Sequence, residues 1–203
     1  MIEFWEESFQ QKQAMWGFEP AQSTVWARDL FVVNGLKEVL IPGFGYGRNA
    51  ALFRDSGMNV TGIEISATAI EIAKAHFGNE FKIFQGSVTD MPFDDKLYDG
   101  IFCFGLAYLL KAADRRKLIS DCYKQLKPGG FMVFSVISTQ ATTYGQGRYL
   151  SKDRYEIFKG VRIYFYTPVA VRQEFGRYGL TDIIDMYEPH SKQPFLIAKC
   201  MKV

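Results

Sequence analysis

The spacing of apolar residues changes period along the chain, and each change marks an element. Val39-Leu40-Ile41 is a short apolar run suited to a central parallel strand, and it breaks at once into glycines at alternate positions, Gly43, Gly45 and Gly47. From Arg48 through Ala50, Ala51, Leu52 and Phe53 the spacing turns helical, so backbone N–H groups at the new helix start would point into the crevice. A second apolar run, Asn59 to Ile65, carries Glu64 at its end. Ser66 then has the character of an N-cap for a crossover helix to about Phe77, stopped by Gly78. Phe81-Lys82-Ile83-Phe84 alternates like a strand and leads into the loop Gln85 to Phe93.

The second half continues the pattern. Lys96 to Tyr108 has the form of a strand and its exit, and Asp114 to Leu126 places Leu118, Ile119, Cys122, Tyr123 and Leu126 at helical spacing, with Arg115-Arg116-Lys117 on the solvated side. Lys127-Pro128-Gly129-Gly130 breaks this helix before the apolar strand Phe131 to Ile137. Thr167-Pro168 starts another helix, with Val171, Phe175 and Tyr178 on one side and Gly179 at its end. Thr181 to Tyr187 and Pro194 to Cys200 read as two strands around a short connection. Residues 2–33 hold two helical patterns interrupted at Gly17 to Pro20 and contain all three tryptophans, which as amphipathic helices would pack on the sheet. Residues 139–166 are the least regular part, either a mobile loop or a substrate cover.

Composition narrows the classes. A chain of 203 residues that is 48% hydrophobic is expected to form one domain with a substantial core. The 24 basic and 22 acidic residues leave a net charge of +2, so no global field would hold a nucleic acid. Cys103, Cys122 and Cys200 are far apart and odd in number, which suits reduced core thiols better than disulfides or a zinc site. An amino terminus opening with Glu3, Glu6 and Glu7, and the lack of any apolar run of membrane-spanning length, lead to the expectation of a soluble cytoplasmic protein.

A tight strand-to-helix connection needs glycine whether or not anything binds, so the turn alone decides little. Two features add to it. Glu64 follows Gly43 by 21 positions, about the separation at which an acid closing the second strand meets ribose hydroxyls. Arg48 stands where the dinucleotide fingerprint needs a third small residue, which argues for an adenosine-containing ligand without a pyrophosphate.

With these residues the chain resembles the class I S-adenosylmethionine-dependent methyltransferases over nearly its whole length. The Leu40-Ile41-Pro42-Gly43 form is closest to the small thiopurine, thiol and tellurite-type enzymes; Ile41 replaces the acid usual in the family two residues before the first glycine. The resemblance implies an α/β, doubly wound, Rossmann-like sheet of seven mostly parallel strands with an antiparallel C-terminal hairpin and helices on both faces. It implies an N-terminal helical lid (1–35), a cofactor-binding core (36–138), a substrate cover (139–166) and a C-terminal helix and hairpin (167–203) in one domain.

By the same resemblance, Gly43, Phe44, Gly45 and Gly47 would pass under the methionine part of S-adenosylmethionine, and Glu64, followed by Ile65, would take the ribose hydroxyls. The loop Gln85 to Phe93 would read the adenine. Ser87 occupies a position commonly held by an acid; its hydroxyl and the Val88 backbone are the groups available, with Asp90 as a second choice. Phe104 to Tyr108 would border the methyl group, with Phe104 as core residue or cofactor contact and Tyr108 as proton acceptor or wall. Trp16 would set an aromatic face near the sulfonium, with Trp5 and Phe18 as further lid residues. Tyr144 and Arg148 in the cover, and His190 in the last connection, complete the candidates for an acceptor or a proton. No acid cluster for a metal is present, and the DNA-amino methyltransferase signature is absent.

Three functions remain open on the sequence: methyl transfer to a small molecule, such as a thiol or other soft nucleophile, with S-adenosylhomocysteine as product; a nicotinamide-dependent oxidoreductase; or a cofactor-binding module without catalysis. The expected partner is a small-molecule acceptor, with no nucleic acid or membrane, in a monomer or homodimer.

Overall fold

The computed structural model describes residues 2–158, 160–189 and 191–203. Seven strands form the central sheet: β1 (Glu38–Pro42), β2 (Asn59–Glu64), β3 (Lys82–Gln85), β4 (Tyr98–Phe104), β5 (Leu126–Ile137), β9 (Leu180–Glu188) and β10 (Gln193–Met201). Their order across the sheet is β3-β2-β1-β4-β5-β10-β9. The first five run parallel, and the β9–β10 hairpin adds antiparallel to β5, with Ile197 opposite Ser135 and Ile184. The expected architecture is therefore present.

The apolar run of β1 places Val39, Leu40 and Ile41 in the interior, because parallel strands flanked by helices are covered on both faces. Alternate residues of the strands feed two cores. One contains Leu40, Ile101, Phe134 and Val136 with α5 (Ala112–Gln125) and α6 (Pro168–Phe175); the other contains Val39, Ile41, Phe102 and Val133 with α2 (Gln22–Val33) and α3 (Ala50–Asp55). Cys103, Cys122 and Cys200 are buried free thiols within the first.

Several local expectations hold in detail. The Ser66 hydroxyl accepts the Ala69 N–H at 3.0 Å and caps α4 (Ala67–Phe77), which ends at Gly78. Thr167 caps α6 in the same way, and Pro168 occupies its first turn.

Three expectations are corrected. Of the lid over 1–35, only α1 (Ile2–Lys12) and the segment to Pro20 lie over the glycine turn and α4; α2 packs on the sheet, where Phe31 sits so close to Gly100 that a Cβ there would be 2.6 Å from its ring. Arg115 is not on a solvated face. It is 4% exposed and donates to Glu174 at 2.9 Å, because α6 covers that side of α5. Residues 139–166 are not an irregular loop: β6 (Arg148–Ser151), β7 (Arg154–Phe158) and β8 (Val161–Tyr164) form a separate three-stranded antiparallel sheet. Its apolar side, Tyr155, Ile157 and Ile163, packs with Phe165 on Ile137 and Phe195. The polar sequence concealed that side because each strand is only four or five residues long.

Candidate active site

The glycine turn lies at the carboxyl end of β1, held down by Gly43 and Phe44 N–H groups that both donate to Ile63 at 2.9 and 3.0 Å. Gly43, Gly45 and Gly47 have φ of 73°, 60° and 86°, a region where only glycine is unstrained. A Cβ added to Gly45 would meet nothing within 4 Å, so the turn is open on that side. At Gly43 a Cβ would touch Leu106 at 3.0 Å, which shows how closely the exit of β4 abuts the turn.

Glu64, at the carboxyl end of β2, is 6% exposed and points at this turn. Its Oε2 accepts the Gly45 N–H at 2.7 Å, and its Oε1 accepts the N–H groups of Ile65 and Ser66, both at 2.9 Å. Burial pushes the carboxyl above its ordinary value, against these three donors, which favour the charged form. A carboxylate has about four acceptor positions, so one remains for a ligand hydroxyl. Phe44 packs under the turn against Gly62, where a Cβ would come within 2.3 Å of its ring. Its place is in the core, and it supports the loop from below.

The N-terminal segment is fastened over the turn by polar contacts. Tyr46, between the glycines, donates its hydroxyl to the Gly17 carbonyl at 2.8 Å and accepts the Trp16 N–H at 3.0 Å. Arg48 donates to the carbonyls of Trp16 and Glu19, both at 3.3 Å, and its guanidinium lies 5.5 Å from the Phe104 ring centre. Glu6 on α1 accepts from the Ser66 and Thr68 hydroxyls at 2.6 and 2.5 Å, hydrogen bonds that pull its pKa below the usual carboxylate value. Aromatic rings continue the contact: Trp16 stacks parallel to Tyr46 at 6.3 Å, and Trp5 follows at 6.2 Å from Trp16.

Around the other strand ends, Ser87 caps the short turn Val88–Asp90, accepting the Thr89 N–H at 3.2 Å, and Val88 is buried. Phe104 stacks on Phe195 at 5.8 Å. Tyr108 packs on Phe195 at 6.1 Å, and burial pushes its phenol well up.

A cleft of about 260 Å³ opens between α1 and the β7–β8 hairpin, lined by Phe4, Trp5, Leu109, Gly160, Val161 and Arg162. Leu109 belongs to the same exit of β4 that carries Leu106, the residue that abuts Gly43. Trp5 is the one sequence candidate found there. Phe18 is elsewhere, stacked on the exposed His76 with ring centres 3.6 Å apart. Tyr144 donates to Asp153 at 2.8 Å, and Arg148 pairs with Glu156; neither lines the cleft. His190 lies outside the described residues. Among the described residues no His, Cys, Asp and Glu grouping could hold a metal, and no helix is long and apolar enough to cross a membrane.

Sequence reasoning missed Tyr46, Glu6, Leu109 and Arg162. Tyr46 alone had a visible signal, a large aromatic set among glycines where small residues would suffice.

Residues 40–134 match the methyltransferase domain model. That stretch, from β1 into β5, is similar to methyltransferase domains. Part of the chain is similar to the ubiquinone biosynthesis O-methyltransferase of Nitrosospira multiformis, 30% identical over 112 residues, which are 53% of this chain and 46% of that relative. The chain spans less than half the length of such curated relatives. In fold it is similar to the 1,6-didemethyltoxoflavin-N1-methyltransferase of Burkholderia thailandensis, whose structure contains 1,6-didemethyltoxoflavin and S-adenosylhomocysteine: TM-score 0.77 at 16% identity, covering 100% of this chain and 87% of that one. The CcbJ methyltransferase of Streptomyces caelestis gives TM-score 0.74 at 16% identity, covering 98% of each chain. At such identities the likeness concerns the fold alone, and it extends through the three-stranded sheet and the C-terminal hairpin.

Proposed function

We propose that the protein transfers a methyl group from S-adenosylmethionine to a small-molecule acceptor. The observation that carries this reading is the Gly45 N–H to Glu64 hydrogen bond, which joins an open glycine turn to a buried carboxylate at the carboxyl ends of adjacent parallel strands. The residues fit the cofactor: Gly45 leaves open space for its methionine portion in a turn that Gly43 and Gly47 shape, Glu64 retains an acceptor for a ribose hydroxyl, and Ile65, Ser87 and Val88 stand at the neighbouring strand ends for the adenine. Phe104 and Trp16 would border its sulfonium, where an aromatic face attracts a cation. When bound, the cofactor would supply an electrophilic methyl group on a sulfonium and would leave as S-adenosylhomocysteine, with the acceptor proton released to solvent.

For its part, the chain positions the two partners and excludes water, a large share of what an in-line displacement needs. Among the described residues the cleft lining contains no Asp, Glu or His. This supports an acceptor that reacts as its own anion, a thiol or another acidic soft nucleophile. Calorimetric titration with S-adenosylhomocysteine, and separately with NADH, tests the cofactor. Micromolar binding of the first alone is expected; binding of NADH alone would replace this reading with the oxidoreductase one.

A further inference from the structure

We propose, resting on the methyl-transfer reading, that the cleft between α1 and the β7–β8 hairpin receives an acceptor with a flat apolar body and a carboxylate, whose charge pairs with Arg162. The cleft has two kinds of wall. Phe4, Trp5, Leu109 and Val161 are apolar or aromatic, with Phe4 and Trp5 packed edge to face at 5.1 Å. A lining of this kind holds a flat ring by area and excludes water. Among the described residues, Arg162 is the only charged side chain on the wall. A volume of about 260 Å³ is at the small end for ligand pockets and sets the acceptor at roughly one or two rings.

The charge of the surroundings favours an anion. Residues 139–166 contain five basic residues, Arg148, Lys152, Arg154, Lys159 and Arg162, against two acids, Asp153 and Glu156, so this segment carries +3 and the rest of the chain −1. Positive charge is thus concentrated on the cover, in a protein that is otherwise nearly neutral. Glu156 is shared: it pairs with Arg148 and lies 3.7 Å from the Arg162 guanidinium, across the β7–β8 register. That longer contact leaves the Arg162 fork free to take a planar carboxylate, the geometry guanidinium matches best.

Arg154 adds to the field. It is half-buried and donates to the Leu110 carbonyl at 2.6 Å, which ties the hairpin to the turn carrying Leu109. Arg162 and Arg115 both lie near enough to lower its pKa, after burial itself. Arg115 is neutralised by Glu174, whereas no described carboxylate pairs with Arg154. An acceptor anion would relieve this repulsion, and a neutral acceptor would not.

The test uses the full chain saturated with S-adenosylhomocysteine, its binding first verified by calorimetry. The probes are two matched pairs, 4-mercaptobenzoate with 4-mercaptobenzamide and 3,4-dihydroxybenzoate with 3,4-dihydroxybenzamide. Within at least one pair the carboxylate is expected to bind about tenfold more tightly than its amide. Arg162→Gln is expected to remove that preference while leaving amide binding and thermal stability unchanged, since the side chain is 58% exposed. Arg148→Gln, which also touches Glu156 but is outside the cleft, is expected to preserve it. Equal binding of carboxylate and amide in both pairs, no binding of any probe, or a preference that survives Arg162→Gln overturns the proposal. These results leave the cofactor assignment standing. Failure to bind S-adenosylhomocysteine overturns that assignment and this proposal together.

Discussion

The Gly45 N–H donates to the Glu64 carboxylate at 2.7 Å, so the acid at the end of β2 holds the glycine turn at the end of β1 before any ligand arrives. Glu64 therefore has two roles that substitution separates only in part. It orders the loop through three backbone donors, and it offers its remaining acceptor to a ribose.

Glu64→Ala is expected to weaken S-adenosylhomocysteine binding by at least about tenfold, roughly 1.4 kcal/mol. The same change leaves three N–H groups without their partner, each costing on the order of 1 kcal/mol or more where water does not replace it. Thermal unfolding should thus shift downward as well. Calorimetry and circular dichroism check the two effects, and unchanged affinity would remove Glu64 from the site.

The pH dependence has a definite sign. Because burial raises the Glu64 carboxyl above its ordinary 4.5, acidification neutralises it earlier than a solvated glutamate. Ligand affinity, which needs the charged acceptor, is expected to fall as pH drops through that raised value. The stability contribution runs the other way: a folded pKa above the unfolded one makes protonation favour the folded state as pH falls. Affinity and unfolding measured over the same acidic range should therefore diverge for the Glu64 contribution, taken as the difference between wild type and Glu64→Ala.

Glu6 fastens α1 to the start of α4 through Ser66 and Thr68. Glu6→Ala is expected to speed amide hydrogen exchange in α1 while leaving α2 unaffected, because α2 is anchored separately: Asn49 accepts the Ala21 N–H, and Glu188 accepts the N–H groups of Gln22 and Ser23. Equal acceleration in both helices would show that the two move as one unit.

Arg115 and Glu174 form a nearly buried pair, and Tyr166 donates to the same carboxylate at 2.7 Å. Arg115→Ala strands that charge and is expected to cost about 3–5 kcal/mol in urea unfolding. Its exposed neighbour gives the control, since Arg116→Ala should change stability by no more than about 0.5 kcal/mol.

Gly62→Ala drives a methyl group into Phe44 and is expected to destabilise by about 1–3 kcal/mol. In a Phe44→Leu background the added cost should shrink, because the smaller side chain yields the space. Strict additivity in the double-mutant cycle would show that the two residues do not compete for it.

Much of the architecture was legible because its signals are local. The apolar runs of β1, β4 and β5, the Ser66 and Thr167 caps and the alternating glycines depend on neighbours a few residues away, and backbone geometry translates them directly. The position of Glu64 was legible too, since crossover connections in such sheets have a regular length. The three-stranded cover was not. Its strands are short, their outer faces are polar, and the register that puts Arg162 opposite Glu156 arises only once the sheet pairs.

By itself, then, the sequence determined the strand, turn and helix order and the glycine and acid positions at the carboxyl ends of β1 and β2. Only the tertiary structure decided that Arg115 is an interior cation, that Phe18 stacks on His76, and that Trp5 meets Arg162 across a cleft. The physical reason is range. Propensity and period act within a few residues, whereas α1 and β8 stand more than 140 positions apart along the chain and come together only when both pack around the exit of β4.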